Sequence, residues 1–282
     1  MLSLIPTPIG NLKDITLRSL EVLAGCAVLL CEDVRVTKRL LFLLEKEDWV
    51  ESVLREKRKS LRQKRFLSFH SHNQEEFLKS VESCFFTNQH VGFVSDAGMP
   101  CVSDPGARLV RFAQEHGVSY EVLPGPSACV SAYCASGFEV AEFHFVGFLP
   151  PKSVARRAKI ASLMGSQRAL VIYESPRRLL ETLGDLASMC PEGALFAIKE
   201  MSKLHACHFK GTILEVSTQL QSVPSKTLQG EWVLVCLLPQ QEIPSLSLRE
   251  IEDMDLPPKI KAKLLSKIKG ISPKTLYAQD FT

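Results

Sequence analysis

The sequence predicts an α/β protein of two α/β domains followed by a small helical appendage. Three observations carry this reading. Short apolar runs alternate with helix-period stretches through most of the chain, the pattern of α/β architecture and not of a sandwich or a bundle. The length of 282 residues suits two domains of ordinary size, and 45% hydrophobic residues are enough to give each a core. After Pro239 the texture changes: strand formers thin out and lysines gather at 259, 261, 263, 267 and 269. The expected division is 1–122, 123–240 and 241–282.

Four early apolar runs read as strands that end in proline, glycine or acidic turns: LSLIPTP from Leu2, AVLLCED from Ala27, VGFVSDA from Val91 and SYEVLPG from Ser119. Between them Leu17 to Leu23, Lys38 to Leu44, Glu75 to Cys84 and Ala107 to Glu115 carry apolar residues at helical spacing. The join at Leu123 to Ser127, with two prolines and a glycine, marks the domain boundary. A second set follows, with strands FHFVGFLP from Phe143, ALVIYESP from Ala169, LFAIKEM from Leu195 and WVLVCLLP from Trp232. Helices are expected near Val154 to Met164 and Arg178 to Ala187, and the tail reads as two short helices split at Pro257 and Pro258.

Basic and acidic residues nearly balance, 34 against 31, so nucleic-acid binding would rest on a local patch. The most basic stretch is Arg55 to Arg65, an expected exposed loop or frayed helix that includes Arg58, Lys59 and Arg62. It fits either a solvated face or a phosphate-binding surface. The start MLSLIPTPIGNL lacks the flank and apolar core of a secretory signal, and no apolar run reaches membrane-spanning length, so a cytoplasmic protein without membrane association is expected. The 9 cysteines are odd in number and scattered, with no zinc-type spacing, which fits idle thiols and no metal centre.

Three loops carry the candidate chemistry, because each follows an early strand and is built to let backbone approach a ligand. They are Thr7-Pro8-Ile9-Gly10-Asn11, Ser95 to Pro100 continuing through Ser103-Asp104-Pro105-Gly106, and Leu123 to Ala128, where Ser127 is placed to cap a helix. In a parallel sheet such loops line the crevice at the carboxyl ends of the strands. Asp96 and Asp104 suit a ribose or an amino group, and the usual glycine-rich nucleotide cradles are absent from the sequence.

These segments, taken in order with Cys-Glu-Asp at 31–33, His70 with His72-Asn73, Phe-Val-Gly-Phe-Leu-Pro at 145–150, Tyr-Glu-Ser-Pro-Arg at 173–177 and Gly-Glu-Trp-Val-Leu-Val at 230–235, resemble the tetrapyrrole methylase family. Within it they are most similar to the branch that methylates a cytidine 2′-hydroxyl of small-subunit (16S) ribosomal RNA. The resemblance covers nearly the whole chain. It implies S-adenosylmethionine bound in a cleft between the two domains, a homodimer, and 16S rRNA in the small ribosomal subunit as partner. It places the cofactor against Pro8, Ile9 and Gly10, against Asp96, Ala97, Gly98 and Pro100, and against Ser127 and Ala128, with Tyr173 and Ile198 toward the adenine. Val34 and Val36 stand where the family has Thr and His, Arg177 where it has His, and Lys199 where it has Arg; the charged insertion between Lys46 and Arg65 exceeds the usual length.

A ribose hydroxyl has to lose its proton during transfer, and Glu32, Asp33 and His70 are the candidate bases. Glu32 and Asp33 fit the acidic N-terminus of a helix equally well, and His70 fits a surface polar pair with His72. Arg35 is a candidate for a neighbouring phosphate and Asn73 for the ribose or base. Two other readings stay open: a methyltransferase for a tetrapyrrole-like small molecule, which would not need the basic segments, and a ribosome-binding protein without catalysis.

Overall fold

The computed structural model describes residues 1–56, 60–61, 63–165, 168–239, 248–273 and 275. The first half carries β1 (Leu2–Ile5), α1 (Leu17–Gly25), β2 (Val28–Cys31), α2 (Val34–Leu44), α3 (Asp48–Glu56), β3 (Arg65–Ser68), α4 (Gln74–Ser80), α5 (Cys84–Thr87), β4 (Val91–Val94), α6 (Ala107–Glu115) and β5 (Tyr120–Val122). Their strands form one sheet in the order β3-β2-β4-β1-β5, with every neighbouring pair parallel. The central strands β1, β2 and β4 are buried along their whole length, which is why they are continuous apolar runs in the sequence. Parallel strands send all their carboxyl ends to one edge, so the loops after β1, β2, β4 and β5 gather there.

α7 (Ala128–Ser136) leads into a second sheet built from β6 (Phe143–Phe148), β7 (Ala169–Glu174), β8 (Ala194–Lys199), β9 (Cys207–Thr212) and β10 (Trp232–Leu237) in the order β6-β7-β10-β8-β9. This sheet is mixed: β6 and β7 are parallel and the other pairs antiparallel. One face packs on α8 (Ser153–Leu163), α9 (Leu179–Met189) and α10 (Ile213–Ser222) through Leu170, Ile172, Leu234 and Cys236. The other, with Val171, Phe196, Val233 and Val235, receives Cys129 and Ala132 of α7. Under the first of these layers Arg156 is only 2% exposed; its guanidinium donates to Asp185 at 2.7 Å and to the Pro151 carbonyl at 3.1 Å, and lies 3.5 Å from Glu181. That ties α8 to α9 at the mouth of the layer.

Both sheets lie in one compact unit, Met1–Pro239, and Gln240–Thr282 forms another. In the second unit α11 (Leu248–Asp253) and α12 (Pro258–Lys269) close a small core of Ile251, Ala262 and Leu265, and Lys269 pairs with Glu252 at 2.8 Å. Proline begins α12, where a missing N–H costs nothing, and Gly270 ends it in the left-handed region at φ 68°.

Two features depart from the sequence expectation. The basic stretch, expected as an exposed loop or frayed helix, buries Leu61 in the core of the first sheet's layer, beside Val50 and Leu54 of the preceding α3. Arg58, Lys59 and Arg62 themselves lie outside the described residues. Ser127 occupies the N-cap position of α7, but its hydroxyl makes no capping bond and lies 3.2 Å from the Cys129 thiol instead.

Candidate active site

Along the edge where the parallel strands end, a cavity of about 360 Å³ opens toward the second sheet. The first sheet contributes Ile9, Glu32, the Asp96 to Met99 turn and Val102 to Asp104; α7 contributes Ser127 and Ala128; the second sheet contributes Phe148, Tyr173 to Pro176, Met201 and Glu231 to Val233. The loops after β1 and β4 are knitted together: the Thr7 and Gly98 backbones exchange two hydrogen bonds of 3.0 Å, and the Thr7 hydroxyl donates to the Ser95 carbonyl at 3.3 Å. Gly98 makes this turn at φ 81°, a conformation that a side chain would strain.

Three carboxyl groups converge on the wall. The Asp96 N–H donates to Glu32 Oε2 at 3.3 Å, and the Asp33 N–H donates to Asp96 Oδ1 at 3.1 Å, so the loops after β2 and β4 hold each other by reciprocal backbone-to-carboxylate bonds. Burial raises the pKa of Glu32 and of Asp96. Burial, with the Glu32 charge adding to it, pushes Asp104 up to about 6. Because Asp104 titrates higher in the folded chain than its ordinary 3.8, its neutral form is the one the fold favours, and stability is lost as pH rises from about 4 to about 6. Asp104→Asn is therefore expected to stabilise the ligand-free protein at pH 7 by an amount on the order of 1–2 kcal/mol, after discounting for partial exposure. Thermal melts at pH 4 and pH 7 check it: the variant's gain should vanish at the lower pH.

The structure separates the three candidate bases. Glu32 lines the cavity. Asp33 does not; it caps α2, accepting from the Arg35 N–H at 2.7 Å, and the Arg35 guanidinium at 2.6 Å holds it down at about 2. The helix-cap alternative thus describes Asp33 and not Glu32, and the Arg35 guanidinium, 90% exposed, is engaged with it. His70 stands near enough to Glu32 to favour its charged form, and its Nδ1 accepts from the His72 N–H at 3.3 Å. Asn73 shapes that turn from both ends of its amide, accepting from the His70 N–H at 2.7 Å and donating to the Ser68 carbonyl at 2.9 Å. Both ends of the amide are thus engaged with the turn that carries His70.

Of the residues expected at a cofactor, Ile9, Asp96, Ala97, Gly98, Ser127, Ala128 and Tyr173 line the cavity, and Pro8, Gly10, Pro100 and Ile198 do not. Gly10 has a different use. A Cβ there would lie 2.4 Å from Lys203 Cγ and 3.1 Å from the Met201 carbonyl, so the glycine lets the loop after β8 press against the loop after β1. The Ser202 hydroxyl donates to Asp14 at 2.5 Å across the same contact. Lys203 closes the loop from the other side, bridging Glu200 and Glu231 at 2.9 Å each. Lys199 is buried and donates to the Thr227 carbonyl at 2.7 Å, away from the cavity wall.

Among the cavity-lining residues that sequence reasoning passed over are Phe148, Met201 and Glu231. The motifs containing Phe148 and Glu231 are visible in the sequence, but nothing in them says which side chain faces inward. Among the described residues no helix is long and apolar enough to cross a membrane.

With this geometry in place, comparison with known proteins is specific. A sequence model of the tetrapyrrole (corrin/porphyrin) methylases matches residues 1–217. A Helicobacter pylori (strain J99) protein named ribosomal RNA small subunit methyltransferase I is 46% identical, over 99% of this chain and 96% of its own. A Campylobacter fetus protein of the same name is 38% identical over the full length of both. Among solved structures, a uroporphyrin-III C-methyltransferase from Thermus thermophilus shares the fold with TM-score 0.52 at 17% identity, covering 83% of this chain and 93% of its own.

Proposed function

We propose, since this chain belongs to the tetrapyrrole (corrin/porphyrin) methylases, that it transfers a methyl group from S-adenosylmethionine to the 2′-hydroxyl of a cytidine in small-subunit ribosomal RNA. The observation that carries this reading is the 46% identity, over nearly the whole length of both chains, to a protein named for methylating that RNA. The wall of the cavity suits the cofactor. Asp96 offers a carboxylate to a cationic amino-acid end, Gly98 brings backbone close where a Cβ would lie 3.2 Å from Ile9, and Ile9, Tyr173 and Val233 give apolar surface to a flat heterocycle. Ser127 and Ala128 close the site from the start of α7.

Bound there, S-adenosylmethionine supplies an activated methyl carbon. The protein's share is to align the ribose oxygen with that carbon, since displacement in line gains most of its rate from positioning, and to remove the hydroxyl proton. Glu32 is the residue for the second task, because of Glu32, Asp33 and His70 it alone lines the cavity, and burial raises its pKa. His70, held by Asn73, favours the charged form of Glu32. Arg35 and the basic run containing Arg58, Lys59 and Arg62 would draw in phosphates flanking the target. Single-stranded RNA is the fitting substrate, because its riboses and base edges are accessible. A cytoplasmic homodimer completes this reading.

The test is transfer of labelled methyl from S-adenosylmethionine to small ribosomal subunits that lack their own 2′-O-methylation, followed by nuclease digestion and mass spectrometry of the nucleosides. A 2′-O-methylcytidine product is expected. Absence of product, with the cofactor still bound, would return the weight to a tetrapyrrole-like substrate or to ribosome binding without catalysis.

A further inference from the structure

One side chain on the cavity wall is placed at a cost. Trp232 is buried and Tyr173 mostly covered, yet Phe148 is 56% exposed. Leaving that much aromatic surface in water forgoes hydrophobic stabilisation, and the backbone is bent to achieve it. Cross-strand partners present their side chains to the same face of a sheet. Ala169, Val171 and Tyr173 alternate on the face of the second sheet that carries the cavity, with Phe143 and Phe145 beside the first two. An unbroken register would set Gly147 beside Tyr173 and send Phe148 to the opposite face, among the helices. Instead the pairing slips between Phe145 and Gly147, so that Gly147 pairs with Ile172 and Phe148 with Tyr173. Gly147 takes φ 69° at this irregularity, the conformation that suits glycine in a bulge. A bulge at a sheet edge re-aims a side chain, and here it brings an aromatic ring to the cavity.

The ring is also held in orientation. Phe148 stands edge-on to Tyr173 at 5.9 Å and 69°, and Tyr173 stands edge-on to Phe145 at 4.9 Å and 68°. Across the cavity the first sheet presents Glu32, Asp96 and Asp104. Those carboxyl groups repel a phosphate and favour a neutral heterocycle that carries amino hydrogens.

We infer that Phe148 is the platform on which the base of the target nucleotide stacks as its ribose enters the cavity, an assignment that rests on the RNA methyl transfer proposed above. Stacking on an aromatic ring binds a base that has left its helix. The test compares Phe148→Leu, which keeps an apolar side chain and removes the ring, with Phe148→Tyr, which keeps the ring. With undermethylated small ribosomal subunits as substrate, Phe148→Leu is expected to lower kcat/KM for the subunit by about 10- to 100-fold. Its calorimetric affinity for S-adenosylmethionine and its melting profile should match the parent protein, and Phe148→Tyr should retain the parent's kcat/KM. Unchanged kcat/KM in Phe148→Leu, beside an active parent, overturns the inference alone. A loss of cofactor affinity large enough to account for the slower rate overturns it too, by assigning the ring to the cofactor. A parent protein that transfers no methyl to the subunit overturns the proposed reaction first, and this inference with it.

Discussion

Replacing Glu32 with glutamine is expected to lower the rate of methyl transfer at saturating substrates by about 10²- to 10⁴-fold, the range for a positioned general base. That corresponds to roughly 3–5 kcal/mol of barrier. Glutamine preserves the shape of the side chain and an oxygen for the Asp96 N–H, so the two loops stay joined and cofactor affinity should change little. The pH dependence gives a second reading. A base works deprotonated, so the rate climbs as pH rises through its pKa, and burial has raised Glu32 above the usual carboxylate range. The Glu32 charge helps to push Asp104 up to about 6, so the two are coupled and the ascending limb of kcat/KM belongs to the pair. Asp104→Asn should move that limb to lower pH, and Glu32→Gln should flatten it. Full activity in Glu32→Gln would remove the residue from the chemistry and leave His70 as the candidate.

The second large effect concerns folding. Arg156→Ala is expected to destabilise the protein by about 3 kcal/mol, at the lower end of the cost of breaking a buried pair from one side. Asp185, mostly covered, would lose its 2.7 Å partner and keep the Ser153 hydroxyl and the more distant Arg157 guanidinium at 3.6 Å, and the α8 to α9 contact would lose its central tie. Replacing both partners, in Arg156→Met with Asp185→Leu, should recover most of the loss, because apolar groups of similar volume need no partner. The midpoint of urea unfolding reports both variants. Equal midpoints for the single and double changes would show that the charge pairing itself matters little there.

What the sequence revealed and what it hid follow from where each residue sits. β1, β2, β4, β7 and β10 are central strands, buried on both faces, and such strands are continuous apolar runs that reading by eye finds. β3 and β9 have no such run; both are edge strands, as are β5 and β6, which aromatic and β-branched residues still mark in the sequence. An edge strand is covered on fewer sides, so Arg65 and Ser68, or His208 and Lys210, face water and break the apolar pattern. The loops at the carboxyl ends were legible because glycine, proline and acids punctuate them. Which of their residues faces the cavity was not. Glu32 and Asp33 are neighbours with the same chemistry, and only the start of α2 after Asp33 turns one into a cap and leaves the other on the wall. Gly10 signals close approach, and it was natural to expect a ligand there; the structure shows Lys203, from almost 200 residues away in the chain. Phe148 depends on a register slip against β7, which is a property of the pairing and not of either strand alone.

The contact of Gly10 with Lys203 and the Ser202 to Asp14 bond cross the seam between the two sheets beside the cavity. No strand is shared between the sheets. A methyl group at Gly10 would meet Lys203 and the Met201 carbonyl before any ligand, so its first effect would fall on the fit of the two sheets and not on the cavity wall.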